Sequence, residues 1–418
     1  VVVVTAAASR RRRGGRARAV ARAAVERRVL SMPQDELQGT LPSAEDEHGS
    51  SAAIERCYLH LLGPAETALL TKFRAEVPAI VAAGGRSSIW GVELTCEDDR
   101  SDIVLLKFLR AADLDIALAN ERLVSTLRFR VEQGLDELRS QALEDYFQGH
   151  DFVQGADAEG RPVMISRYGQ MDNDKVFGNT DSFLRYRMRI MEDAVAQLQF
   201  TRGAPEDLCQ VHDYSGVPLL FKTSEVKNCV TAMTKVFGDH YPETKGKTIF
   251  VNFPSAFSKL FQAFSVFLPA RTSKKFLIFG QSDQALLFKH LQPEAVPEAL
   301  GGMLRQADAA AGAPCTMVEV RVRDTQEAVL AEVAGPASLA WDLRVCASEI
   351  SYELVFVPAA GGSEVLVQAS APKIPLKAED GVLSGVFEAP QPGALKCRFK
   401  NDKAWVSSRL CLCRARVL

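Results

Sequence analysis

The segment from Tyr241 to Gly280 restricts the possible fold more than any other part of the chain. Ile249–Phe253 and Phe276–Phe279 are short apolar runs bounded by turn residues, which is typical of buried strands in a parallel sheet. Between the two runs, apolar residues recur at helical spacing and form one face: Phe253, Phe257, Leu260, Phe261, Phe264, Phe267 and Leu268. The pattern predicts a strand, an amphipathic helix and a second strand.

The composition of this predicted helix leaves three interpretations open. An ordinary core helix mixes Leu, Ile, Val and Ala, whereas this one is dominated by Phe. The segment from Thr244 to Ser282 has no acidic residue and carries these cations: Lys245, Lys247, Lys259, Arg271, Lys274 and Lys275. An apolar helix followed by a basic turn suits a ligand with a long apolar body and an anionic head. It equally suits a helix that contacts an anionic bilayer.

Length and composition indicate a globular protein with two or three domains, since the chain has 418 residues and 24% of them are charged. Its apolar runs are far shorter than the roughly 18 to 20 residues of a membrane-spanning helix, so we expect it to sit on a membrane without crossing one. The nine Cys are dispersed and the six His lack ligand spacing. No metal or cofactor is therefore predicted, and the cysteine usage fits a reducing compartment.

The N-terminal region is predicted to be disordered over residues 1–54, basic at first and then acidic. Residues 1–30 hold nine Arg and one Glu, a charge of +8. Three explanations stay open: an organellar transit peptide, an anchor for anionic membranes, or sequence upstream of a true start at Met32. A nucleic-acid partner is not expected, because no basic surface studded with aromatic residues follows in the body of the chain.

The remaining chain separates into three patterned regions. Residues 55–140 read as a helical lobe, with one helix from Ala65 to Gly84, a second capped by Ser101 or Asp102, and a third that opens at Asp113. Residues 141–305 alternate strands and helices, which predicts a mainly parallel sheet and a last helix from Asp283 to Leu291. After an Ala/Gly/Asp linker from Ala307 to Pro314, residues 316–418 alternate apolar and polar positions, as in an all-β sandwich.

Several quoted stretches resemble one family. YPE, TIFVNFP, the Phe-rich helix, ARTSKKFLIFG and the later VPEALGG are similar to the C-terminal half of a CRAL-TRIO lipid-binding domain. WGVELTCEDDRSDIVLLKFLRAADLDIALANERLVSTLRFRVEQGLDEL resembles the N-terminal lobe of patellins, and AWDLRV, ISYELVFVP and FKNDKAWVSSRLCLCRARV resemble their C-terminal GOLD domain. The resemblance implies an α/β CRAL-TRIO domain with an N-terminal helical lobe, followed by an all-β GOLD-like sandwich.

The resemblance also implies a binding site. Glu243, Thr272 and Lys275 match the residues that hold an inositol phosphate headgroup in phosphoinositide-binding members. Phe253, Phe257, Phe261, Phe264 and Phe267 would form the gate helix and the acyl cavity, and Arg271 and Lys274 the basic surface that faces the membrane. The sequence departs from the family at Ala112, where a basic residue is expected and for which Arg271 or Lys274 can substitute. It departs again at Leu208 and Gln210, where phosphatidylcholine-binding members carry Ser and Thr.

Two enzymatic patterns are incomplete. Gly246-Lys247-Thr248 ends like a phosphate-binding loop, but Tyr241 stands where the first Gly is needed and a strand follows instead of a helix. His212 and Asp213 end a strand, yet adjacent strand residues point to opposite faces and no nucleophile elbow is present. An α/β esterase is thus a distant alternative, and no catalytic residue is predicted.

The function predicted from the sequence is non-enzymatic binding and transfer of a phospholipid, with a phosphoinositide as one candidate, at cytosolic membrane surfaces in membrane trafficking. The predicted partners are a hydrophobic ligand, an anionic membrane surface and a trafficking protein bound through the GOLD-like domain. The predicted location is cytoplasmic and peripheral to membranes, with organellar targeting by residues 1–30 left open. The alternative is a lipid-sensing adaptor that recruits its partner without transferring lipid.

Overall fold

The computed structural model describes residues 59–217, 223–253, 275–280, 286–305, 312–370, 374–402 and 407–418. The chain forms two compact units: residues up to Gln154 with Glu159–Gln281, and Gly155–Ala158 with Ser282–Leu418. The predicted disordered region 1–54 and most of the predicted linker lie outside the described residues. In the part of the chain that the structure describes, each helix is too short or too polar to span a membrane.

The first unit combines helices with a sheet. Its α-helices are α1 (Pro64–Ala75), α2 (Val77–Gly84), α3 (Asp99–Ala111), α4 (Ile116–Gln133), α5 (Leu135–Leu138), α6 (Asn173–Val176), α7 (Thr180–Val195) and α8 (Thr223–His240). Its strands are β1 (Ser88–Ile89), β2 (Val92–Glu93), β3 (Asp151–Ala156), β4 (Pro162–Arg167), β5 (Leu208–Asp213), β6 (Lys245–Val251) and β7 (Phe276–Ile278). Short 3-10 helices span Leu59–Leu61, Asp145–Phe147 and Tyr168–Gln170.

The helical lobe is confirmed as helical, but three of its predicted boundaries are wrong. The helix predicted from Ala65 to Gly84 breaks at Glu76, because Pro78 cannot donate the backbone hydrogen bond that a continuous helix needs. Asp98, and neither Ser101 nor Asp102, caps α3 by accepting from the Ser101 amide at 2.8 Å. Asp115, and not Asp113, caps α4 through the amides of residues 117 and 118.

The mainly parallel sheet is confirmed, with strand order β3-β4-β5-β6-β7. Strands β4 to β7 run parallel, and their register places Val211 beside Ile249 and Phe250 beside Ile278. The edge strand β3 is an addition to the prediction, because its sequence DFVQGA is short and only partly apolar. In α/β folds such a sheet is covered by helices on its faces, and the helices α7 and α8 pack within the same core as the lobe.

The second unit contains the predicted all-β region. Its strands are β8 (Thr316–Val320), β9 (Thr325–Val333), β10 (Ala337–Val345), β11 (Glu349–Pro358), β12 (Val365–Ala369), β13 (Leu376–Lys377), β14 (Leu383–Ala389), β15 (Gly393–Lys400) and β16 (Arg409–Val417). They form antiparallel sheets in the orders β14-β10-β16-β8 and β12-β11-β15-β9, with β13 beside β11. The buried core between the sheets includes Trp341, Phe356, Phe399, Cys411 and Cys413. This arrangement confirms the predicted sandwich.

A segment that the sequence predicts as the end of the α/β region packs on the sandwich. The α-helix predicted from Asp283 to Leu291 is wrong in its described part, where residues 286–289 form a 3-10 helix. Further 3-10 helices follow at Pro293–Ala295 and Glu298–Leu300. The Arg344 guanidinium donates to the backbone oxygen atoms of Glu298 and Gly302, both at 2.9 Å. These buried contacts fix VPEALGG against the outer side of β10. A Cβ at Gly302 would collide with the Val296 carbonyl, which explains the need for glycine there.

Candidate functional site

The predicted headgroup residues Glu243 and Lys275 both lie at the amino-terminal end of the sheet. Glu243 stands two residues before β6 and Lys275 one residue before β7, and these strands are parallel neighbours. The Lys275 ammonium donates to the Lys245 backbone oxygen at 3.0 Å. Two of the three predicted headgroup residues therefore share the amino-terminal edge of the sheet. Thr272 lies outside the described residues.

A buried ion pair anchors the Tyr241-Pro242-Glu243 segment to the helical lobe. Arg130 of α4 and Glu192 of α7 are 3% and 5% exposed, and the guanidinium meets the carboxylate at 2.7 and 2.9 Å. The Tyr241 hydroxyl donates to the same carboxylate at 2.7 Å. Burial and the adjacent Glu192 charge raise the pKa of Tyr241 well above its ordinary value, so the phenol keeps its proton. The segment that carries Glu243 is thus fixed from both sides.

A second charged network surrounds the start of β6. Arg161 is buried and pairs with Asp207 at 2.5 Å and with Glu159 at 2.9 Å, while Lys247 reaches Glu159 at 3.1 Å. A Cβ at Gly246 would collide with the Asp207 carboxylate. Gly246 and Lys247 therefore serve the strand and its ion pairs, which accounts for their likeness to the end of a phosphate-binding loop.

Glu206 places an ionisable group beside the same segment. Its side chain is 3% exposed, and its carboxylate oxygens accept no well-formed hydrogen bond from the described residues, although the Leu59 backbone lies nearby. Burial raises the pKa of Glu206 to about 7, and Asp207 adds to the rise. Lys107, the Leu59 backbone and Arg110 act in the opposite direction. The carboxyl group consequently changes charge near neutral pH.

Glu206 should make the stability of the fold depend on pH. The folded state binds the proton more tightly than the unfolded chain, so the stabilisation is fully present below the ordinary pKa of 4.5 and disappears as the pH rises through about 7. Between pH 5 and pH 8, we expect the free energy of unfolding of the wild type to fall by about 2 kcal/mol relative to that of Glu206→Gln. Urea denaturation of both proteins at each pH measures this difference. If the free energies of unfolding of the two proteins changed equally with pH, Glu206 would not be the group that titrates near pH 7.

One face of the sheet carries a cluster of aromatic rings that is buried at its centre and partly accessible at its edge. Phe250 stacks on Phe276 with ring centroids 5.9 Å apart and on His212 at 5.3 Å, and Phe253 meets Tyr214 edge-on at 4.9 Å. Tyr168, Phe276 and Ile278 are only partly buried around this cluster. The face therefore offers apolar surface beside the position where the predicted Phe-rich helix begins. Phe253 lies in this cluster, while its role in an acyl cavity stays a prediction.

His212 is a neutral member of this aromatic face. Its Nδ1 atom is hydrogen-bonded to the Tyr168 hydroxyl at 2.8 Å. Burial, with a smaller contribution from the nearby Arg187 and Lys245 charges, lowers the pKa of His212 to about 3. Asp213 bonds instead to Ser215 and to the Asn252 amide at 2.9 Å, so the two residues do not pair. This geometry removes the basis for the esterase alternative at His212.

The comparisons with known proteins agree with this architecture. A model described as the CRAL/TRIO domain matches residues 146–302, and one described as the CRAL/TRIO N-terminal domain matches residues 69–125. Patellin-6 of Arabidopsis thaliana is 31% identical over 346 residues, which are 80% of this chain and 83% of Patellin-6. The chain belongs to the CRAL/TRIO family, among the patellin-like members.

Further relatives delimit what this membership covers. Patellin-2 of Arabidopsis thaliana is 31% identical over 75% of this chain, which spans only 46% of the length of Patellin-2. Phosphatidylinositol transfer protein SFH5 of Cryptococcus neoformans is 32% identical over 56% of this chain and 86% of that protein. A crystal structure of Sfh5 superimposes with a TM-score of 0.51 at 24% identity, covering 59% of this chain and 90% of Sfh5. The CRAL/TRIO fold and the patellin resemblance are confirmed, and the likeness of the sandwich to GOLD domains stays a prediction.

The remaining predicted site residues of this CRAL/TRIO protein lie outside the described residues. They are Phe257, Phe261, Phe264 and Phe267 of the predicted gate helix, together with Arg271 and Lys274 of the predicted basic surface. Ala112, which replaces the expected cation, is a buried residue at the end of α3. No group of His, Cys, Asp and Glu side chains within the described ranges has the geometry of a metal site.

Sequence reasoning missed the buried charges that contact the Tyr241-Pro242-Glu243 segment and the residues around it. Lys107, Arg130 and Glu192 are nearly inaccessible, yet each occurs in a helix that was interpreted by its apolar residues alone. The available signal is a charge on the apolar face: Lys107 lies between Leu106 and Phe108, in a helix whose other faces are also buried. A charged side chain at such a position requires a partner, because buried charges are rarely left uncompensated.

Proposed function

We propose that this protein binds a phospholipid and transfers it between membranes without catalysing a reaction. The proposal depends most on the aromatic cluster around the buried Phe250, at whose edge Tyr168, His212 and Phe276 are only partly buried. Sheet faces in α/β proteins are normally covered, so accessible apolar surface here suits acyl chains. Membership of the CRAL/TRIO family, which includes a protein named as a phosphatidylinositol transfer protein, supports the same function.

We further propose that Glu243, Thr272 and Lys275 recognise the headgroup. Lys275 supplies a positive charge for phosphate, Thr272 a hydroxyl donor and Glu243 an acceptor for inositol hydroxyls. Lys245, which is exposed beside Lys275, adds positive charge to the same edge of the sheet. Since the buried Ala112 supplies no cation to this edge, we expect Lys275 to carry an unusually large share of phosphate binding.

The test of this function is transfer of phosphatidylinositol between donor and acceptor vesicles. Lys275→Ala is expected to reduce that transfer about tenfold, since a hydrogen bond to a charged group contributes roughly 1.5–3 kcal/mol. Transfer of phosphatidylcholine by the same variant should remain near its wild-type rate. Lys235→Ala is the matched control, because Lys235 is an exposed lysine on α8 that pairs with Asp239 one turn away.

Two outcomes of the vesicle assay would reject parts of the proposal. Wild-type protein that moves neither lipid above the protein-free rate would reject the transfer function. Equal loss of both lipids in Lys275→Ala, with Lys235→Ala unaffected, would reject the headgroup role while leaving transfer intact.

The setting of this activity is also part of the proposal. We infer action at the cytosolic face of membranes, with Arg271 and Lys274 contacting anionic lipid after the Phe-rich helix. The C-terminal sandwich would bind a trafficking protein. The lipid-sensing adaptor is the same molecule without exchange, and a slow release of bound lipid distinguishes it from a transfer protein.

A further inference from the structure

Lys107 is a buried lysine that reaches from the helical lobe to the predicted headgroup segment. Its residue is 1% exposed, although lysine is among the side chains least often buried. The ammonium donates to the backbone oxygen of Glu243 at 2.9 Å and to that of Glu206 at 2.6 Å. One side chain of α3 thus joins two loops that precede neighbouring strands, β5 and β6.

The backbone of Glu243 is in a conformation that needs such support. Its φ angle is +48°, in the left-handed region that residues other than glycine rarely adopt. A residue of this kind persists only when its surroundings hold it, and it would otherwise relax to a negative φ. Relaxation would move the carbonyl relative to Lys107 and change the direction in which the Glu243 side chain leaves the backbone. A separate hydrogen bond closes the turn around Pro242 and Glu243, since the Thr244 hydroxyl donates to the Tyr241 carbonyl at 2.9 Å.

We propose that Lys107 is a positioning residue that sets headgroup preference by holding Glu243 in this conformation, without contacting the lipid itself. The inference rests on the proposed function, because it concerns how the same site sorts lipids. The helical lobe would then contribute to lipid specificity. Glu243 contacts the headgroup, and Lys107 of α3 fixes the orientation of Glu243.

The charges around Lys107 determine which variants test the proposal. Lys107 is the charge with the largest effect on the pKa of the buried Glu206 carboxyl group, which it lowers. Arg110 also lowers that pKa, and Asp207 raises it. Lys107→Met removes the buried ammonium and leaves Glu206 without its main counter-charge. Lys107→Met combined with Glu206→Gln removes both charges together, which buried pairs tolerate better than the loss of one partner. Lys107→Arg keeps a charged donor.

The experiment measures initial rates of phosphatidylinositol and phosphatidylcholine transfer by the full chain and reports their ratio. We expect Lys107→Met to lower the ratio about three- to tenfold, because the loss of one hydrogen bond changes an equilibrium by about this factor. Lys107→Arg should restore most of it. Glu243→Gln should lower the ratio as well, and adding Lys107→Met to Glu243→Gln should lower it no further, since both changes act through one side chain.

A merely structural role would reduce both rates in proportion and leave the ratio unchanged, and that result would overturn the proposal. Additive losses in the double variant would overturn it too, and so would wild-type transfer with no headgroup preference. If Lys107→Met does not fold, the variant with Glu206→Gln carries the same test. Absence of any transfer by wild type would instead reject the proposed function.

Discussion

Replacing Glu192 by alanine is expected to lower the free energy of unfolding by about 3 kcal/mol, because the buried Arg130 guanidinium loses its main counter-charge. Arg130 pairs with both carboxylate oxygens of Glu192. When Glu192 is removed, the exposed Asp136, at 3.1 Å, is the one carboxylate among the described residues that still pairs with Arg130. The Tyr241 hydroxyl loses its acceptor in the same change. Urea denaturation followed by circular dichroism measures the loss.

The control for this prediction removes the pair as a unit. Arg130→Met with Glu192→Leu leaves no buried charge, so it should recover most of the stability lost in Glu192→Ala. A loss below about 1 kcal/mol in Glu192→Ala, comparable to that of an exposed ion pair, would contradict the role assigned to the buried network.

Replacing both Phe261 and Phe264 by aspartate is expected to abolish lipid exchange between vesicles. The two residues lie on the apolar face of the predicted gate helix, which we expect to move aside at the bilayer and admit the acyl chains. A carboxylate on that face resists entry into apolar surroundings, at a cost of several kcal/mol for each charge, so the helix could neither cover the cavity nor enter the membrane. The assay is transfer of a fluorescent phospholipid, and the expected rate is that of vesicles without protein.

Phe261→Leu with Phe264→Leu is the matched control, since it keeps the face apolar and replaces each ring by a smaller aliphatic side chain. It should transfer lipid at a rate close to wild type. Exchange by a folded aspartate variant at the wild-type rate would exclude the gate mechanism and favour the adaptor alternative.

Local patterns were sufficient to predict the strands that form the site. The apolar runs at Ile249–Phe253 and Phe276–Phe279 became β6 and β7, although β6 begins four residues earlier than predicted, at Lys245, and ends at Val251. His212 and Asp213 end β5, as predicted. The strand β15 shows the alternation that predicts a sandwich, because its buried residues Leu395, Cys397 and Phe399 alternate with polar residues. The strand β9 gives no such signal, because TQEAVLAEV consists largely of residues that favour helices and is mostly exposed.

The contacts that organise the site could not be predicted from local patterns. Lys107 lies 99 residues from Glu206 and 136 from Glu243 along the chain, and no periodicity connects positions at that distance. Glu243 appears in the sequence as an ordinary surface residue, whereas its left-handed backbone and its link to the lobe arise only when the tertiary fold is formed. The family resemblance identified Glu243, but only the folded chain shows what holds it.

Identification of the lipid that the purified chain carries is the most direct test of phospholipid binding. Protein is purified without detergent and extracted with organic solvent, and the extract is analysed by mass spectrometry against a mock preparation. We predict about one phospholipid per protein molecule, with phosphatidylinositol enriched over its share of the host membrane and the enrichment reduced in Lys275→Ala. An extract without lipid, from well-folded protein that also fails to take up lipid from vesicles, would contradict phospholipid binding by this chain.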